Sequence, residues 1–135
     1  MKALHRQAGL GFISLILILI IGGFVLLLAF RITPAYFENA YIKNALESLA
    51  RDNGQDLNTL SRSEIRTALS NYYTVNNVRG EAAKALEIDR QAERTLIRIA
   101  YEVRIPIIAN IDAVLSFDNV LDSSKPDACC TPDES

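Results

Sequence analysis

Hydrophobic and polar positions fall into three regimes along the 135 residues. From Leu10 to Phe30 the chain carries no charge and a single hydroxyl, Ser14. These 21 residues form a helix of roughly 31 Å at about 1.5 Å per residue, enough for the ~30 Å hydrocarbon core of a bilayer. In lipid only a helix satisfies its own backbone groups within one segment. From about Thr33 to Asn77 apolar residues recur near every fourth position. After Gly80 they alternate with charged ones, so the period drops to two.

The middle regime predicts helix. Phe37, Tyr41, Ala45 and Leu49, joined by Ile42 and Leu46, form a stripe, and Asn53-Gly54 is a stop signal. Thr33-Pro34 reads either as an N-cap with proline at the first helical position or as a kink in one helix running from the span to about Asp52. A second helix opens at Ser61-Arg62-Ser63-Glu64, a capping box, with Leu60 and Ile65 placed as a hydrophobic staple. Its expected buried face is Ile65, Ala68, Leu69 and Tyr72, and Asn76-Asn77 and Gly80 end it.

The last regime predicts three strands. Leu86 and Ile88 alternate with Glu87 and Asp89. Ile97, Ile99, Tyr101, Val103 and Ile105 alternate with Arg98, Ala100, Glu102 and Arg104. Ile111, Ala113, Leu115 and Phe117 alternate with Asp112, Val114, Ser116 and Asp118. Connections at 91–93 and 107–110 are short enough for an antiparallel meander. Pro106 belongs at a strand end or edge. The expected fold class is α+β: one N-terminal transmembrane helix, then two helices packed on a three-stranded antiparallel sheet. The expected organisation is a basic flank over 1–9, the span over 10–30, a folded domain over 31–121 and a flexible acidic tail over 122–135.

Charge sets the orientation. Lys2, Arg6 and the terminal amine precede the span, which predicts a cytoplasmic N-terminus and an exported C-terminal part. The span is longer than the apolar core of a secretory signal, and Thr33-Pro34-Ala35 is a poor cleavage site. Beyond the span stand 12 basic and 16 acidic residues, which argues against nucleic acid as a partner. The lipid bilayer and another envelope membrane protein are the expected partners, and a homo-oligomer is compatible with the sequence. Gly22 and Ala29 fall nearly on one face of the span, beside Gly23, which permits close helix packing.

Candidate chemistry is sparse. His5 is the single histidine, and it precedes the span, so no triad or metal site is expected in the domain. No cofactor is expected and the protein reads as non-enzymatic. Cys129 and Cys130 are adjacent, a spacing that seldom gives a relaxed disulfide, so an incidental tail feature or bonds between chains are expected. Arg98, Glu102 and Arg104 on the polar sheet face, with Asn110 beside a turn, are the candidate interface; the bland alternative is a solvated face of cross-strand charge pairs. Tyr101 lies on the apolar face, where its hydroxyl needs a partner.

Two family resemblances bear on this. The basic leader, Gly11-Phe12 junction and apolar helix resemble type IV pilins and pseudopilins, which implies processing after Gly11; Ile16 stands where that family has a glutamate. More of the chain resembles the DUF4845 family of small single-pass proteobacterial membrane proteins. The shared features are Arg6-Gln7 with Gly9, Pro34 with Tyr36, Ala45-Leu46-Glu47, Asn76-Asn77-Val78 and the run Tyr101–Asp118. Ala109 stands where that family carries glycine. The resemblance implies no activity; the family's genes lie beside those of signal peptidase I and ribonuclease III, which implies an envelope or export role.

Overall fold

A computed structural model describes residues 8–131 of the chain. The basic flank with Lys2, His5 and Arg6, and the last four residues, lie outside the described residues. The chain divides into two compact units between Thr33 and Pro34.

Helix α1 runs from Ala8 to Asn53 with Pro34 inside it. Of the two readings of Thr33-Pro34, the continuous helix is therefore the observed one, and the expected separate helix after the span is the second half of α1. Proline supplies no N–H to the carbonyl four residues back. The Thr33 hydroxyl donates to the Ala29 carbonyl at 2.6 Å in the same turn. In the first unit, large apolar side chains from Phe12 to Phe30 are exposed. This helix is long and apolar enough to cross a membrane, with none of its most apolar stretch covered by protein.

The second unit is a two-layer α+β domain. Helix α1 ends where the sequence signals it, and Gly54 takes a φ of +49°, a left-handed conformation that glycine adopts without strain. Helix α2 spans Arg62–Val75 behind the expected capping box. The Glu64 amide donates to Ser61 Oγ at 3.2 Å, and the Ser61 amide donates to the Glu64 carboxylate at 2.7 Å. That bond holds the Glu64 carboxyl below its ordinary range. Strands β1 (Leu86–Arg90), β2 (Thr95–Ile108) and β3 (Ile111–Asp122) form an antiparallel meander in the order β1-β2-β3. β2 and β3 run further than the alternation suggested, and only Ala109-Asn110 connects them.

Two buried faces differ from the sequence expectation. On α1 the covered positions are Ala35, Asn39, Ile42, Ala45, Leu46, Leu49 and Ala50, while Phe37 and Tyr41 point outward at 62% and 41% exposure. A strict four-residue stripe drifts around a helix of 3.6 residues per turn, so its early members leave the sheet-facing side. On α2 the buried set is Ile65, Leu69 and Tyr73, with Ala68 exposed and Tyr72 half-buried. Ile97, Ile99, Tyr101 and Leu121 complete the core with Leu57, Val78 and Ala82.

The segment after β3, expected as a flexible tail, is packed against the domain as far as Cys130. The Ser123 amide donates to the Thr95 carbonyl, and the Thr95 amide to Ser123 Oγ. Cys130 is buried and accepts from the Val120 amide at 3.2 Å. Its sulfur is bonded to that of Cys129, so the two neighbours form a disulfide with each other.

The β2–β3 turn carries a local cost. Ala109 has a φ of +50°, a conformation that costs a residue with a Cβ roughly 1 kcal/mol or more. Ala109→Gly is expected to stabilise the domain by a few tenths to about 1 kcal/mol, since glycine's greater unfolded-state freedom offsets part of the relief. A urea titration of the full chain in detergent micelles checks it; a lower midpoint would show that the turn does not strain Ala109.

Candidate interface on the open sheet face

Helices cover one face of the sheet, so the side chains alternating outward on β2 and β3 form the other. Arg98 reaches diagonally to Asp118, with Nε and a terminal nitrogen donating to the two carboxylate oxygens at 2.9 and 2.7 Å. The two ions hold each other charged: the carboxylate raises the guanidinium, with Glu87 adding to the effect, and the guanidinium lowers the carboxyl. Glu102 lies opposite Ser116, whose hydroxyl donates to it at 3.3 Å. Arg94 meets Asp122 at 3.1 Å, and Asp122 also accepts from the Ser124 amide and hydroxyl.

These pairs floor an open depression of about 510 Å³ lined by Glu87, Asp89, Arg94, Arg98, Asp118 and Lys125 among others. Both signs of charge are present, and each exposed pair contributes at most about 1 kcal/mol to stability. Of the four candidate interface residues, Arg98 lines the depression. Glu102 and Arg104 continue the same face of β2 away from it, and Asn110 stands in the hairpin turn. Sequence alternation found Arg98 but did not single out Asp118 as its partner, nor the pair Arg94 and Asp122. The cross-strand register was the missing signal. Among the described residues no three His, Cys, Asp or Glu side chains gather as metal ligands would. Gly22 and Gly23 stand on α1 with open space where a Cβ would be. Gly11 and Phe12 lie within the same helix, Phe12 exposed.

A second polar group, buried under the sheet's apolar face, escaped the sequence reading. Asn39 Oδ1 accepts from the Asn119 side-chain amide at 2.8 Å and from the Tyr101 hydroxyl at 3.3 Å. The Tyr101 hydroxyl therefore has the partner its position required. Asn39 interrupts the helix stripe and Asn119 the strand alternation, and that interruption was the available signal. Tyr73 nearby has a buried hydroxyl with no protein partner, and burial pushes it up to about 12. Burial raises Tyr101 too, with the Glu38 charge adding to the effect.

The sign of the resulting pH dependence follows. A phenol ionises near 10 in the unfolded chain. A raised folded-state value therefore contributes stability in full below pH 10 and loses it between about 10 and 12. The urea midpoint of the full chain is expected to fall steeply above pH 10, and Tyr73→Phe to make that fall shallower. A flat midpoint to pH 11.5 would mean that the phenols are solvated.

Residues 31–117 match the family described as a domain of unknown function, DUF4845. The chain belongs to the DUF4845 family. The match starts directly after the apolar span and includes Arg98, Glu102, Arg104 and Asn110. It stops one residue before Asp118 and leaves out Asp122 and both cysteines. No curated protein and no solved structure matches the chain.

Proposed function

We propose that this DUF4845 protein is a non-enzymatic, single-pass protein of the bacterial inner membrane. Its N-terminus is cytoplasmic. Its periplasmic domain binds another envelope protein, in an accessory or assembly role linked to protein export. The open, charge-bearing sheet face carries the reading: helices cover the apolar face, and the outer one presents a depression with both signs of charge. A polypeptide segment of mixed charge is the chemistry it fits.

Photo-crosslinking from Arg98 and Glu102 of the full chain in native membranes tests this, with Arg66 on the exposed side of α2 as reference. One discrete adduct with a membrane or periplasmic protein, formed from the sheet positions and absent from Arg66, is the expected result. Equal labelling from all three, or none from the sheet, would sink the reading.

A second reading has one observation in its favour. A single helix, Ala8–Asn53, supplies both the apolar span and the buried face of the domain, as suits a pilin-like subunit processed after Gly11. The intact mass of the chain from native membranes separates the two. Loss of Met1–Gly11 that depends on a prepilin peptidase supports the pilin-like subunit, and retention of Met1 supports the permanent anchor.

A further inference from the structure

The domain exposes its large apolar side chains unevenly. In the second unit they are Tyr36, Phe37, Tyr41, Val75, Ile108, Ile111 and Val114. Val75 ends α2, whereas the others belong to the first two turns of this unit's helix and to the β2–β3 hairpin tip.

Contacts inside the domain show that these two places lie at the same end. The Lys43 carbonyl meets Cys130, which bridges to Val120. Asn39 bonds Asn119, and the Tyr36 ring meets Phe117 edge-on at 5.4 Å. As the helix steps back from 43 to 36, β3 steps back from 120 to 117, towards the tip. From Phe117 the strand has six more residues to Ile111, roughly 20 Å at about 3.3 Å each. The unit's helix has two residues left before Pro34, roughly 3 Å. The hairpin tip therefore overshoots the Pro34 end of the domain.

That end is the tethered one, because the apolar span of the sequence stops at Phe30. Between Ile105 and Val114 the chain reads Ile-Pro-Ile-Ile-Ala-Asn-Ile-Asp-Ala-Val, with Asp112 its single charge. Isolated exposed apolar residues need no explanation, but a cluster confined to one end does. Isoleucines flanked by Asn110 and Asp112 suit the headgroup boundary, where one side of a residue is wet and the other apolar, and Tyr36 and Phe37 stand further back at the same end. From Ile105 to Val114 the tip carries no lysine or arginine, the residues an anionic lipid surface would select; Arg104, opposite Val114, borders it.

We propose that the β2–β3 hairpin tip seats in the interfacial layer of the bilayer as a second membrane contact. It is held by apolar burial and not by charge. The contact fixes the domain's orientation over the membrane, so that its open sheet face is presented sideways to a partner. This inference rests on the anchored reading above.

The chain contains no tryptophan, so a single indole reports its own position. Full-length Ile111→Trp is reconstituted in phosphatidylcholine vesicles, with or without lipid brominated high in the acyl chain. Ile108→Trp is a second reporter, in case one substitution disturbs the fold. Ala92→Trp, in the exposed β1–β2 turn at the opposite end of β2, is the reference; it stands roughly 40 Å away by strand rise. The tip indoles are expected to lose most of their emission to brominated lipid, equally at low and high salt, while Ala92→Trp is unaffected. Tip indoles insensitive to brominated lipid overturn the proposal. If aqueous acrylamide quenches them, the tip is in water; if it does not, a second copy or another protein covers it. Chains that fail to float with the vesicles overturn the anchored reading itself, an outcome read before any quenching.

Discussion

Leu46→Ala is expected to remove about 2–5 kcal/mol of domain stability, most of what a domain of this size has. Leu46 is fully buried in the second half of α1, among Ile42, Leu49 and the sheet residues Ile97, Ile99 and Leu121. Truncation loses the transfer free energy of the side chain and leaves a cavity that helix and sheet backbones are too stiff to close. The urea midpoint of the full chain in micelles, followed by tyrosine near-ultraviolet dichroism, reads the loss. Leu26→Ala is the matched control, since Leu26 is 59% exposed on the apolar span and its truncation should leave the domain's midpoint in place. Equal effects of the two substitutions would mean that packing of Leu46 against the sheet does not set the stability.

Asn39→Leu is expected to cost roughly 2–4 kcal/mol, although it replaces a buried polar group by an apolar one of similar volume. The cost falls on the partners: the Asn119 amide at 1% residue exposure and the Tyr101 hydroxyl at 7% lose their shared acceptor. A buried donor left unpaired costs about 1–3 kcal/mol. Tyr101→Phe in the Asn39→Leu background removes one orphaned donor and should recover part of the loss. A double-mutant cycle on urea midpoints measures that coupling. Additive effects would mean that the 3.3 Å bond contributes nothing and that the Asn119 amide carries the whole loss.

Different parts of this molecule were legible in the sequence to different degrees, for reasons set by range. The capping box of α2 is local, made by residues three apart, and it appears in the structure as written at Ser61 and Glu64. The strands were equally readable, because alternation on a half-buried sheet is strict and one slip would turn every side chain over. The helix stripes were less so. Phe37 and Ala68 fit an apolar pattern, yet a helix rotates by 100° per residue, and only the sheet it packs on selects the side that is covered. The candidate interface was half legible: alternation put Arg98, Glu102 and Arg104 on one face. The pairing of Arg98 with Asp118, 20 residues away, depends on the β2–β3 register and on where the hairpin turns.

The sequence by itself determined the apolar span, the stop at Asn53-Gly54, the α2 start, the three-stranded meander and the family. Each is written in composition, period or residues close together in the chain. Tertiary structure alone decided which side of the second half of α1 is covered, because the sheet it packs on selects Ile42, Leu46 and Leu49 over Phe37 and Tyr41. It also decided that Asn39, Tyr101 and Asn119 meet under the sheet. The packing of residues 123–130 against the domain, and the gathering of exposed apolar side chains at its tethered end, were decided there too. Those outcomes are set by contacts between residues up to 87 apart; local pattern marks Asn39 and Asn119 as interruptions but does not make them partners.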